Sequence, residues 1–266
     1  MNFRGGFALI KKSLLGFMAS KGFFWTLSIG WMMGPVVYLF AWMIAAGGGK
    51  IGSFGRSDFI FYYLALILVN QFNYPSSHWT VGENIQLGTM SNWLLRPLPV
   101  IYEAISSDIA LKIVCMPFVA VIVAALGGLF GFAGFVPVVA WKSAALFLPA
   151  FLLAWVLRFL LAYILSLLAF WTQKIHALLA VNDTLILLFS GQIAPTMLLP
   201  GPFRAIATVL PFRYMLGFPI EVLSGKLTAF ETITGLMVQA GWLLAFLLLH
   251  RLVWKSGIKR YCAIGG

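Results

Sequence analysis

Six stretches of this chain, at roughly residues 23–46, 59–79, 113–134, 143–171, 176–200 and 233–254, are apolar and almost free of charge. Each is about as long as a helix needs to cross a hydrocarbon core, for which about 20 residues suffice. Backbone polar groups in lipid must be satisfied internally, which for runs of this length means helix. The reading is therefore an all-α integral membrane protein of about six transmembrane helices, forming a single transmembrane domain over residues 1–266. Composition agrees. Charged residues make up 9% of the chain, against roughly 25% in soluble domains, and the mean hydropathy is +0.98. Pro35 marks a kink in the first span, and the short Thr172–Ile175 link makes the fourth and fifth spans a tight hairpin.

The 18 Lys and Arg against 7 Asp and Glu would point to nucleic acid in a soluble protein. Here all but Arg158 fall in loops, facing anionic lipid, and nucleic acid is not expected as a partner. Arg4, Lys11, Lys12, Lys21, Arg96, Lys112, Lys174, Arg251, Lys255, Lys259 and Arg260 fall on one side. Lys50, Arg56, Lys142, Arg204, Arg213 and Lys226 fall on the other. The richer side is expected to be cytoplasmic, with both termini inside. Residues 3–21 carry Phe7, Ile10, Leu14 and Phe17 at helical spacing with Lys11, Lys12 and Lys21. They read as an interfacial helix and not a cleavable leader. Cys115 lies in an apolar run and Cys262 in the tail, so no structural disulfide is expected.

The second and third spans are separated by Val81–Pro97, VGENIQLGTMSNWLLRP. Val81, Ile85, Leu87, Met90 and Leu94 recur at three- and four-residue steps, placing most of them on one face of a short helix. Glu83 and Asn84 suit its exposed amides and Arg96 its exposed carbonyls, and Pro97 stops it. Such a helix either receives a push from another protein or lies on the lipid surface.

Inside the spans, Asn70, Gln71 and Asn73 need partners, either neighbouring helices or a substrate path. Arg158 lies in the middle of the fourth span and Asp183 one or two turns into the fifth. Unpaired, each costs several kcal/mol at such depth. They are expected to pair, directly or through water, as a lock between helices or as part of a transport route. Further on, Pro195, Pro200, Pro202, Pro211 and Pro219 cut residues 190–226 into pieces too short to cross. These read as short re-entrant helices dipping back from the outer face, with Arg204 and Arg213 near its headgroups.

No phosphate-binding loop occurs. Gly47-Gly48-Gly49-Lys50 lacks the Ser/Thr and reads as a turn. His78, His176 and His250 have no metal-ligand spacing, and no catalytic constellation can be argued. The chain resembles permease subunits of ABC exporters with the ABC-2 (type V) membrane fold, in the viologen-exporter-like branch. The resemblance rests on Gly88-Thr89-Met90-Ser91, Leu94-Leu95-Arg96-Pro97, Ala169-Phe170-Trp171, Ser190-Gly191, Pro195, Pro200, Pro211-Phe212, Pro219 and Gly225. It implies that residues 82–96 are a coupling helix docking on a cytosolic ATPase, through Glu83, Asn84, Ile85, Leu87, Met90, Leu94 and Arg96. It implies that 3–21 is the connecting helix and that 195–220, including Pro195, Pro200, Pro211, Phe212 and Pro219, caps the outer pathway. It also implies an ATPase dimer using ATP and Mg, a second permease (different or a copy), and a prokaryotic cell membrane; no cofactor is expected in this chain. A self-contained ion- or proton-driven transporter and a non-transporting membrane scaffold are the alternatives. Substrate remains open among drugs, peptides, lipids and glycolipids.

Overall fold

A computed structural model describes residues 3–19, 21–76, 78–132 and 139–261, so Cys262 and the end of the expected third span lie outside the described residues. The described chain is helical apart from turns and one isolated bridge, Ile51 to Phe54. The longer helices are α1 (Phe3–Ala19), α2 (Lys21–Ala46), α3 (Arg56–Asn73), α6 (Ile101–Phe132), α7 (Trp141–Leu167), α8 (Ile175–Phe189) and α12 (Ala229–Gly257). Between α3 and α6 lie a π turn (His78–Gly82), α4 (Glu83–Gln86) and α5 (Ser91–Leu94). Between α8 and α12 lie a 3-10 turn (Thr196–Leu198), α9 (Gly201–Val209), α10 (Pro211–Met215) and α11 (Gly217–Leu223).

Among the described residues three helical stretches are long and apolar enough to cross a membrane: Ile101–Gly131, Trp141–Phe170 and Ala229–Arg260. α2, at 26 residues, has the length as well. Local chemistry sets the boundaries. α12 starts at a capping box, where the Thr228 hydroxyl accepts from the Glu231 amide and Glu231 accepts from the Thr228 amide. α2 runs on through Pro35.

Three boundaries differ most from the sequence expectation. The second span stops at Asn73 and not at 79, because Pro75 holds Tyr74 in an extended conformation (φ −65°, ψ 121°). The third helix begins at Ile101 and not 113, which draws Lys112 out of the expected loop and buries it. The fifth ends at Phe189 and not 200, because the chain turns at Ser190 and Gly191, the latter with φ +91°. Hydropathy cannot see that turn, since the residues after it are as apolar as those before.

α7 is the hub. It packs against α12, α11, α10, α8 and α3, and the π turn also contacts it. Its Ala154, Leu157, Tyr163 and Leu167 are fully buried in the larger core cluster, together with Val81, Met90, Met215 and Phe218. The second cluster surrounds α3, where Phe59, Tyr62, Tyr63 and Leu66 meet Leu39, Phe54, Phe130, Leu216 and Ile220. α1 lies against α6, with Phe17 packed on Leu111 and Cys115. Phe7 is exposed.

Candidate functional site

The segment from Tyr74 to Val100 forms an elbow anchored at its root and free at its tip. The root is built around Asp108. Its carboxylate accepts from the Ser76 amide (3.2 Å), from Lys112 Nζ (2.6 Å) and from the Trp155 indole (2.9 Å). Lys112 also donates to the Tyr74 carbonyl (3.3 Å) and sits over the Phe72 and Trp155 rings. Asp108 and Lys112 are an i,i+4 pair on α6, and together they join α3, α6 and α7 at the point where α3 ends. Sequence reasoning assigned Lys112 to a loop and passed over Asp108. The four-residue spacing of opposite charges ahead of an apolar run was the signal that the helix starts earlier.

The elbow is not one helix. Gly88, with φ +70°, breaks it into α4 and α5. The break resets the register, so the expected single face is split. Val81, Ile85 and Met90 are buried, whereas Leu87 and Leu94 are exposed together with Leu95. Asn84 secures the turn: its Nδ2 donates to the Thr80 carbonyl (2.5 Å), its Oδ1 accepts from Thr89 (2.6 Å) and its carbonyl accepts from the Met90 amide (3.1 Å). Glu83 is exposed. Arg96, expected to face helix carbonyls, instead pairs with Glu103 of α6, which Lys12 of α1 also approaches at 3.6 Å.

The far end of the chain closes over the same turn. The Tyr261 hydroxyl donates to the Gly88 carbonyl (2.5 Å) and accepts from the Ser91 amide (2.8 Å). It thereby satisfies two backbone groups freed by the break between α4 and α5. Gln86 of the elbow donates to the Gln173 carbonyl between α7 and α8 (3.1 Å). The elbow is thus tied to α6 at one end, and to the α7–α8 link and the tail of α12 at its middle.

Deeper in the bundle, Arg158 does not pair directly with Asp183; no salt bridge joins them. Its guanidinium donates instead to the Asn70 side-chain oxygen (2.7 Å) and lies over the Tyr74 ring at 5.5 Å. Asn70 is thereby the helix-joining partner, linking α3 to α7. Asp183 faces the same cavity as Arg158 from α8. Asn73 donates to the Met215 carbonyl (2.9 Å), and Gln71 is buried in the same turn.

The proline-rich segment has the expected broken character. Pro200 precedes α9 and Pro211 opens α10, where a missing N–H costs nothing. Pro195, Pro211, Phe212 and Pro219 are buried, whereas Pro200 is exposed. The freed carbonyls find donors on distant helices. Gly191 accepts from Tyr62 (2.8 Å), and Ile193 accepts from Tyr63 (2.6 Å) and from Trp42 (2.8 Å). Glu221, not singled out from sequence, is buried and holds the segment together. It accepts from Thr196 (2.5 Å) and from two nitrogens of Arg213 (2.6 and 3.1 Å). Arg213, expected near headgroups, is committed to that pair.

An all-helical, multi-pass membrane protein with a side elbow between α3 and α6 is the class these features define. The family described as ABC-2 family transporter protein matches residues 31–265, and the chain belongs to it. No curated individual protein matches. Membership makes the chain a membrane transport domain rather than a nucleotide-binding one, and in ABC transporters such a domain works with an ATP-binding partner.

Proposed function

We propose that this chain is the transmembrane permease subunit of an ATP-binding cassette exporter of the viologen-exporter-like branch. It moves an amphipathic or hydrophobic substrate, as in multidrug efflux, out of a prokaryotic cell across the cell membrane. ATP and Mg are bound and used by a separate ATPase dimer, and a second permease, different or a copy, completes the pathway. The observation that carries this reading is the elbow. Its root is fastened to α6 through Asp108, its middle to the tail of α12 through Tyr261, and its tip turns Leu87, Leu94 and Leu95 outward. A surface of three leucines on a short, braced lever suits a partner's groove better than water.

The mechanism follows from those attachments. ATP binding draws the two ATPases together and pushes the elbow. The push passes through Ser76 and Asp108 to α6, and through Trp155 to α7, on which most of the bundle rests. The excess of basic residues on the elbow's side supports a cytoplasmic location for it. The proline-rich segment, on this reading, is the re-entrant cap on the opposite side.

The test is reconstitution. The chain should co-purify with an ATPase and raise its turnover, and vesicles holding both should move substrate only with ATP. Movement by the chain without an ATPase, or movement driven by an ion gradient, would sink the reading and favour a secondary transporter.

A further inference from the structure

The cavity between α3, α7 and α8 holds about 240 Å³. At about 30 Å³ per water it has room for a polar headgroup, and it falls below the roughly 300–1,000 Å³ of pockets that enclose a whole small-molecule ligand. Its charged wall is Arg158, only 5% exposed. One terminal nitrogen of that guanidinium is used on Asn70, a neutral acceptor, and Nε has no hydrogen-bond partner. A buried donor on a full positive charge is costly to leave unmet. The nearby acid Asp108 does not meet it, being committed to Lys112, Trp155 and Ser76. The opposite wall carries Asp183, without a salt bridge, on the outward side of α8. Ile186 and Leu187 add apolar surface beside it, and Val181 and Leu188 continue that surface outside the cavity.

We infer that this cavity binds the headgroup of a zwitterionic amphiphile. Its phosphate or carboxylate meets Arg158, its ammonium meets Asp183, and its apolar tail leaves along α8. Two fixed opposite charges that do not touch each other accommodate a molecule carrying both signs. A simple anion leaves Asp183 unmatched, and a simple cation leaves Arg158 unmatched. The Tyr74 ring, stacked under the guanidinium, holds it in place without consuming its donors. This deepens the exporter reading by naming its cargo class, and rests on that reading only for the step from bound to carried.

The binding step is measured on the purified chain with no ATPase present. Thermal unfolding in detergent is followed with phosphatidylethanolamine, phosphatidylglycerol and a trimethylammonium lipid of matched acyl chains, and with soluble phosphoethanolamine. Phosphatidylethanolamine should protect best. Arg158→Gln should weaken that protection about ten- to hundredfold in lipid concentration, the range of a hydrogen bond to a charged group. Asp183→Asn should remove the preference for phosphatidylethanolamine over phosphatidylglycerol, and it decides the matter should Arg158→Gln fail to fold. Unchanged protection in Arg158→Gln, or an unchanged preference in Asp183→Asn, overturns the inference. Protection by phosphoethanolamine alone identifies a soluble zwitterion as the source, and a need for acyl chains identifies a lipid. With the ATPase added, ATP-dependent transfer of fluorescent phosphatidylethanolamine supports the cargo assignment. Binding without transfer overturns that assignment and leaves the site standing. Failure of the chain to recruit any ATPase counts against the exporter reading alone.

Discussion

The elbow and the proline-rich segment are both interruptions between long helices, yet they are held in opposite ways. From Pro211 to Val222 every residue except Arg213 is buried. The loose backbone at the start of the segment, at Gly191 and Ile193, is bonded to three aromatic side chains from α2 and α3. The elbow buries Val81, Ile85 and Met90 along its root and middle, and leaves Leu95 85% exposed. The α10–α11 part of the proline-rich segment has its partners within the chain, whereas α9 ahead of it leaves Phe203, Ile206 and Val209 exposed. The elbow keeps its apolar surface at Leu87, Leu94 and Leu95 in reserve. Broken helices therefore serve two ends here, and the burial of α10–α11 against the exposure of the elbow tip tells them apart.

That contrast can be broken at its rigid side first. Glu221→Gln should have the largest effect, because it strands the mostly buried Arg213 guanidinium. The expected loss is about 3–5 kcal/mol, seen as a lower unfolding temperature in detergent. Adding Arg213→Met should recover much of it, since removing both charges leaves neither unpaired. Gly217→Ala comes next. A Cβ there would strike the Ser190 carbonyl oxygen, a backbone atom with nowhere to go, and the loss should be about 2–3 kcal/mol.

The elbow should respond less in stability and more in coupling. Tyr261→Phe removes the hydroxyl shared by Gly88 and Ser91. It should cost about 1 kcal/mol in thermal unfolding and lower the stimulation of a co-purified ATPase. Full stimulation in that variant would show that the tail of α12 does not position the elbow. Leu95→Ser should be the gentlest, within about 0.5 kcal/mol in stability, while capture of the ATPase falls about tenfold. Equal capture would remove the distinction between the two interruptions.

Much of this architecture was readable from hydropathy and proline placement: an all-helical chain, its long apolar helices, and the breaks at Pro195, Pro200 and Pro211. What escaped depends on pairings across the sequence. α8 ends at Phe189 although the apolar run continues, because the chain turns at Gly191, whose φ is +91° and where an added Cβ would strike the Tyr62 hydroxyl. Asp108 and Glu221 are buried acids whose partners, Lys112 and Arg213, looked like loop cations. Arg158 turned to Asn70 and not to Asp183, a choice between acceptors that charge counting alone cannot make. In the elbow, the period of three and four placed Val81, Ile85 and Met90 inside correctly and Leu87 and Leu94 wrongly, because the positive φ at Gly88 breaks the single helix that the period assumes.

The bonds from Tyr62, Tyr63 and Trp42 to Gly191 and Ile193 join residues 129, 130 and 151 positions apart. During synthesis the donors emerge long before their acceptors. Closing loops of that size carries a chain-entropy cost that only a largely assembled bundle offsets. The stretch after α8 should therefore be the last part of the molecule to settle. A nascent chain halted between α8 and α12 would still present an unfinished segment to quality-control proteases.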